Sequence, residues 1–186
     1  MRKILPLLGL LALASCASQF RRGRDDFFDG VHELSRNPEA ARELFAEADG
    51  HFQAALGEEG LSLRHRIAAV SFRVRALIET GRHAEARDLA SAPIEGYNRD
   101  QAHEGDPVGL SILRARTLDP DRSYAELLLA DRKAGSVQSR LHVTWERAHA
   151  LEKMGTPKAR AVAVELCGQH AGKLDFDELK KRLSAN

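Results

Sequence analysis

Apolar residues recur at three- and four-residue steps along this 186-residue chain, and almost every such run is opened by a proline or closed by a glycine. That punctuation allows helices joined by short turns and little else. Ala, Leu, Glu and Arg dominate, β-branched residues are sparse, and no alternating run is bounded by an Asn-Gly or Asp-Gly turn. The predicted fold is all-α, with antiparallel helix pairs stacked as a short solenoid and a capping helix at the C-terminus.

The segments follow from this pattern. Phe27, Phe28, Val31 and Leu34 give helical spacing from Asp25 to about Arg36, and Asn37-Pro38 then marks a cap and a first-turn proline. Ala41, Leu44, Phe45, Ala48, Phe52 and Ala55 continue on one face to about Leu56, before Gly57 and Gly60 break the chain. A long helix is predicted from about Leu61 to Thr80. Ile67, Val70, Val74, Leu77 and Ile78 form one of its stripes and Ala69, Phe72 and Ala76 another, which implies two packed neighbours. Gly81 stops it, and His83 to Ala92 forms a shorter partner ended by Pro93.

Pro93 to Gly105 reads as a surface loop, either a binding element or slack. Beyond it, Pro107 to Leu118 and Asp121 to Ala134 pair around Asp119-Pro120, with Leu110, Leu113, Tyr124, Leu127 and Leu128 as core candidates. Val137, Leu141, Thr144, Ala148 and Leu151 line a helix that ends at Gly155, and Pro157 opens its partner, which runs through Cys167. The last helix, Asp175 to Ser184, combines Phe176, Leu179 and Leu183 with charged residues.

Helix, tight turn and helix recur about every 34 to 45 residues, a period typical of helical solenoids. Ala41-x3-Phe45-x2-Ala48 resembles the second helix of a tetratricopeptide repeat. Gly81 with Ala86, Ala90 and Pro93 matches the turn and spacing of that repeat, with Ala90 in place of its bulky residue. Ala148, Leu151 and Gly155 fit a later unit in which Arg160 stands at the small position, and Ala125 with Leu129 gives a weak fourth. The Trp, Leu-Gly and Tyr of the repeat's first helix are missing, so an irregular helical bundle is the rival arrangement. The resemblance implies a tetratricopeptide-like solenoid over about residues 25 to 171, in which small residues let helices approach and each unit buries its open face on the next.

The first sixteen residues have a different character. Arg2 and Lys3 form a basic head, Ile4 to Leu13 an apolar run, and Leu13-Ala14-Ser15-Cys16 closes the segment. About ten apolar residues are too few to span a hydrocarbon core. The segment resembles a bacterial lipoprotein signal with its lipobox. The resemblance implies export, cleavage before Cys16 and acylation of Cys16; an ordinary secretory signal cut after Ala14 or Ala17 is the alternative. The chain then divides into a signal peptide over 1–15, a lipidated tether over 16–24 and a helical repeat domain over 25–186. Arg21, Arg22 and Arg24 would lie near lipid phosphates or in a solvated linker. Ala17, which follows the cysteine, resembles lipoproteins sorted onward to the outer membrane, so a periplasmic, lipid-anchored location is expected.

Removing residues 1–15 takes Arg2 and Lys3 from 28 basic side chains and leaves 26 against 27 acidic ones, a balance of about −1 that suggests no nucleic-acid footprint. Aromatic residues make up 5% of the chain, so small apolar residues must do much of the packing. With Cys16 acylated, Cys167 has no partner for a disulfide and reads as a buried small residue.

If the repeat register holds, the first helix of each pair lines a groove. Its inward residues would be Ser71 and Arg75, then Leu110 and Arg114, then His142, Trp145 and His149. Arginines and an aromatic ring suit capture of an extended peptide or a carboxylate; against that, helical arginines are commonly solvated and Trp145 fits a core equally well. His142 and His149 lie seven residues apart, about 10 Å along a helix, too far to share a metal ion. No nucleophile elbow, phosphate-cradling glycine loop or paired-histidine zinc motif is present. The chain is therefore expected to be no enzyme and to use no cofactor or metal. Three functions remain: a membrane-anchored periplasmic interaction scaffold for an envelope protein, a ligand-binding accessory lipoprotein of an uptake system, or a structural envelope lipoprotein with no discrete site.

Overall fold

The computed structural model describes residues 5–92, 107–172 and 176–185, with the side chains of the first helix described from Gln19 onward. The irregular segment expected at Pro93 to Gly105 lies outside the described residues. Those described form an all-α fold without strands: α1 (Leu5–Glu33), α2 (Pro38–Leu56), α3 (Leu63–Glu79), α4 (His83–Ser91), α5 (Pro107–Ala115), α6 (Pro120–Lys133), α7 (Val137–Met154), α8 (Pro157–Gln169) and α9 (Phe176–Ala185). The helices gather into two compact units, Met1–Gly105 with α1 to α4 and Asp106–Asn186 with α5 to α9, where the sequence predicted one domain over 25–186. In each unit consecutive helices pack side by side as antiparallel pairs.

Local chemistry sets the boundaries. Asn37, Ser62, Asp119, Ser136 and Thr156 each accept a hydrogen bond from the backbone N–H three residues on, and Pro38, Pro120 and Pro157 occupy the first turn behind three of these caps. α7 ends at Gly155 with φ 68°, and Gly81 follows α3 with φ 78°, left-handed conformations that glycine adopts without cost.

Unit 1 is built on aromatic rings. Six of the seven phenylalanines of the chain lie in it. Phe52 stacks on Phe72 at 5.3 Å, and Phe27 meets Phe45 at 5.3 Å and Phe72 at 5.2 Å. Ala41, Ala48, Ala69 and Ala76 fill the space between the rings, so Ala41, Phe45 and Ala48 of the predicted repeat motif are all buried. An ionic clasp closes the other side. Asp49 accepts from Arg73 Nε at 2.7 Å and from Arg82 Nη1 at 2.9 Å, and Arg82 also forks onto Glu85. These bonds join α2, α3 and the start of α4, and the hydrogen bond to Glu85, with that to Asp49, holds the Arg82 guanidinium above its ordinary range.

Residues 16–24, expected as a tether, lie within α1. Gln19 bonds His51 at 2.7 Å, and Phe20 sits edge-on to Phe52 at 5.6 Å and to His65 at 5.1 Å. At Gly23 a Cβ would come within 3.1 Å of His51 Cβ and 3.2 Å of the Ala48 carbonyl, so the glycine marks a close helix crossing and not a linker. The packed face of α1 runs through Phe20, Gly23, Phe27 and Gly30, while Phe28, Val31 and Leu34 are 47%, 47% and 43% exposed.

Unit 2 replaces rings with aliphatic packing. Val108, Ile112, Leu127, Ala130 and Val143 form one cluster; Leu151, Ala163, Cys167, Phe176, Leu179 and Leu183 form another. α9 covers the end of the unit and buries its whole apolar face. The weak repeat unit read at Ala125 and Leu129 is not packed as a repeat would require: both are exposed, Leu129 by 52%, because Ser123, Leu127 and Ala130 are the residues of α6 that turn inward.

Candidate functional site

The predicted groove residues fall in both units, Arg75 with Ser71 on α3 and the others on α5 and α7. Arg75 is exposed and Ser71 returns its hydroxyl to the Ile67 carbonyl at 2.9 Å. Leu110 is buried in unit 2, and Arg114 reaches across to form a tight ion pair with Glu126 of α6. Trp145 turns toward the C-terminal helices: its ring meets Phe176 edge-on at 5.1 Å and His149 at 4.5 Å. The aromatic residue is thus used in packing. His142 and His149 belong to different clusters, His142 lying 3.6 Å from Glu146 and His149 3.2 Å from Glu152.

What unit 2 does assemble is a shallow cleft between α7 and the α5–α6 turn. Ala115 at the end of α5, Arg116 and Leu118 in the turn, and Pro120 and Ser123 of α6 face Glu146, His149, Ala150 and Lys153 of α7. The last four recur at helical spacing and so share one face. The cleft holds about 30 Å³, room for a water molecule or two and an order of magnitude below a small-molecule site. It is polar and open, unlike the enclosed apolar cavity that a carrier of small molecules would require.

Its electrostatics centre on Glu146. Burial alone would raise this carboxyl, but the nearby His142, 3.6 Å away, and the hydrogen bonds and charge of Arg116 outweigh burial and hold it at about 2. Arg116 approaches as a fork, Nε to Oε2 at 3.2 Å and Nη2 to Oε1 at 2.5 Å. The Glu146 carboxylate is therefore ionised and already satisfied by protein partners. Lys153 is exposed at the rim and makes no ion pair among the described residues. A second pair stands behind the cleft, where Arg182 of α9 forks onto Glu152 at 2.8 and 2.9 Å and, with His149, lowers that carboxyl. On the opposite side of α7, Arg147 bonds Asp131 at 2.7 Å and lies 5.5 Å from the Tyr124 ring centre.

His149 is the one residue of the predicted groove that lines this cleft. Arg116, Glu146 and Lys153 escape sequence reasoning because nothing in the spacing reveals that the end of α5 faces α7; the Glu146, Ala150, Lys153 progression was the available signal. Cys167 is buried and unbridged, and burial raises its thiol above the ordinary range. Among the described residues no cluster of three or more His, Cys, Asp or Glu is arranged to hold a metal ion, and no helix is long and apolar enough to cross a membrane. No family model, curated protein or solved structure matches the chain.

Proposed function

We propose that the protein is a membrane-anchored periplasmic lipoprotein that acts without catalysis, as a scaffold or adaptor for a protein partner in the cell envelope. Acylated Cys16 supplies the anchor, and sorting to the outer membrane follows from Ala17. The helix pairs are read as tetratricopeptide-like units, which expose one side of each element while burying the other. The observation that carries this reading is an apolar row at the end of α1. Phe28 and Val31, with Leu34 just past the helix, are between 43% and 47% exposed and form a ridge beside the packed residues Phe27 and Gly30. Exposed apolar residues gathered on one face mark surfaces that meet a partner.

Two measurements test the reading. A photocrosslinking residue at Val31, in cells expressing the full chain, is expected to capture the same few envelope proteins in every trial, with an exposed control at Arg87 capturing none of them. Leu34→Glu should weaken that capture while leaving thermal unfolding close to wild type. Equal yields from Val31 and Arg87 would remove the scaffold reading. For the anchor, Cys16→Ala is expected to release the protein in soluble form, and persistent membrane association would contradict acylation.

A further inference from the structure

With Cys16 acylated, as proposed above, the packing of α1 limits how far unit 1 can stand from the lipid. Only Ala17 and Ser18 separate Cys16 from Gln19, whose side chain is hydrogen-bonded to His51 of α2. The next residue, Phe20, is wedged between Phe52 and His65, and Gly23 crosses α2 with no room for a side chain. The body of unit 1 is thus attached three residues from the acylated sulfur. Three residues span about 10 Å when fully extended and about 4.5 Å as helix. A headgroup layer is itself about 6 Å thick.

We propose that acylated Cys16 holds unit 1 directly on the bilayer surface, with the packed start of α1, the α2–α3 turn and the first turn of α3 against the lipid headgroups. The antiparallel pairing sets which residues these are. Phe20 touches both the end of α2 and the start of α3, so these elements share one end of the unit, while the turns at Asn37 and Gly81 lie at the other. Arg22 and Arg64 are exposed at the membrane end, have no ion-pair partner among the described residues, and are placed to donate to lipid phosphates. Arg21 and Arg24 share Asp25 at 3.9 and 3.4 Å, and the turn carries Glu58 and Glu59, so chain length and not net charge fixes the orientation. The ridge at Val31 then stands about 18 Å beyond Gln19, twelve helical residues further from the lipid.

The test uses the full acylated chain in vesicles of phosphatidylethanolamine and phosphatidylglycerol whose headgroups carry a nitroxide quencher. A thiol-reactive fluorophore is attached in turn to Arg22→Cys, Arg64→Cys and Arg36→Cys; acylation blocks Cys16 and burial protects Cys167. Quenching several-fold stronger at positions 22 and 64 than at 36 is the expected result. Equal quenching at all three positions, on protein that mass analysis shows to be acylated, overturns the orientation and leaves the lipid anchor standing. An unmodified Cys16 removes both.

Discussion

Asp49 shows how one side chain can hold a helical unit together. Its side chain is 8% exposed and is satisfied by two guanidinium groups, so Asp49→Ala strands Arg73 and Arg82. Breaking a fully buried pair costs about 3–5 kcal/mol; here Arg82 keeps Glu85, Arg73 keeps Gln53, and alanine is the better helix former, so a loss of about 2 kcal/mol is expected in urea unfolding. Glu146 gives a different signature. Its carboxyl lies at about 2 against an ordinary 4.5, and at about 1.4 kcal/mol per pH unit this corresponds to at most about 3–4 kcal/mol. Because the folded value is the lower one, the contribution is complete above about pH 4.5 and fades as pH falls toward 2. Glu146→Gln should flatten that part of the acid limb when unfolding is followed against pH. Neither role was legible in the sequence, where both residues look like ordinary charges on a helix. Trp145 was legible as one of two possibilities, core or groove; it is half-buried and packs edge-on against Phe176.

At the scale of the element, the caps were the most readable feature. Asn37-Pro38 and Gly57 bound α2 where the sequence placed them, and Asp119-Pro120, Gly155 and Pro157 did the same in unit 2, because a cap is chemistry between residues close in the chain. The start of α1 was not readable for the complementary reason. Gly23 beside three arginines has the composition of a linker, and only the approach of α2 gives that glycine its purpose. Gly30 belongs to the same seam: an added Cβ would lie 3.0 Å from the Phe45 ring, which is fully buried and hemmed by Phe27. Gly50, in the middle of α2, has nothing within 4 Å of that position. Gly50→Ala should therefore stabilise the fold by about 0.5–1 kcal/mol through helix propensity alone. Gly30→Ala, where overpacking outweighs the same gain, should destabilise by about 1–2 kcal/mol. Thermal melts of the two variants that moved in the same direction would refute this account of the seam.

For the whole molecule, periodicity foretold the all-α class and the pairing of neighbours; the division near Gly105 falls at the end of the Pro93 to Gly105 segment, whose composition marked a loop but not, by itself, a break between two units. The clustering of six phenylalanines before residue 73 is plain in the sequence, and they gather in unit 1, while unit 2 depends on leucine, valine and alanine. The uneven distribution leaves Cys167 as a convenient reporter inside unit 2. In native buffer this thiol should react with a soluble disulfide reagent only as fast as unit 2 opens; Leu127→Ala, which hollows the neighbouring cluster, should accelerate the reaction in proportion to the stability lost, about 2–4 kcal/mol. Immediate stoichiometric labelling of the wild type would contradict the burial. In an oxidising compartment the same sulfur keeps a ledger of its own: as long as the aliphatic core stays shut it remains reduced and solitary, and each molecule that lapses becomes eligible for covalent capture by another that has lapsed with it.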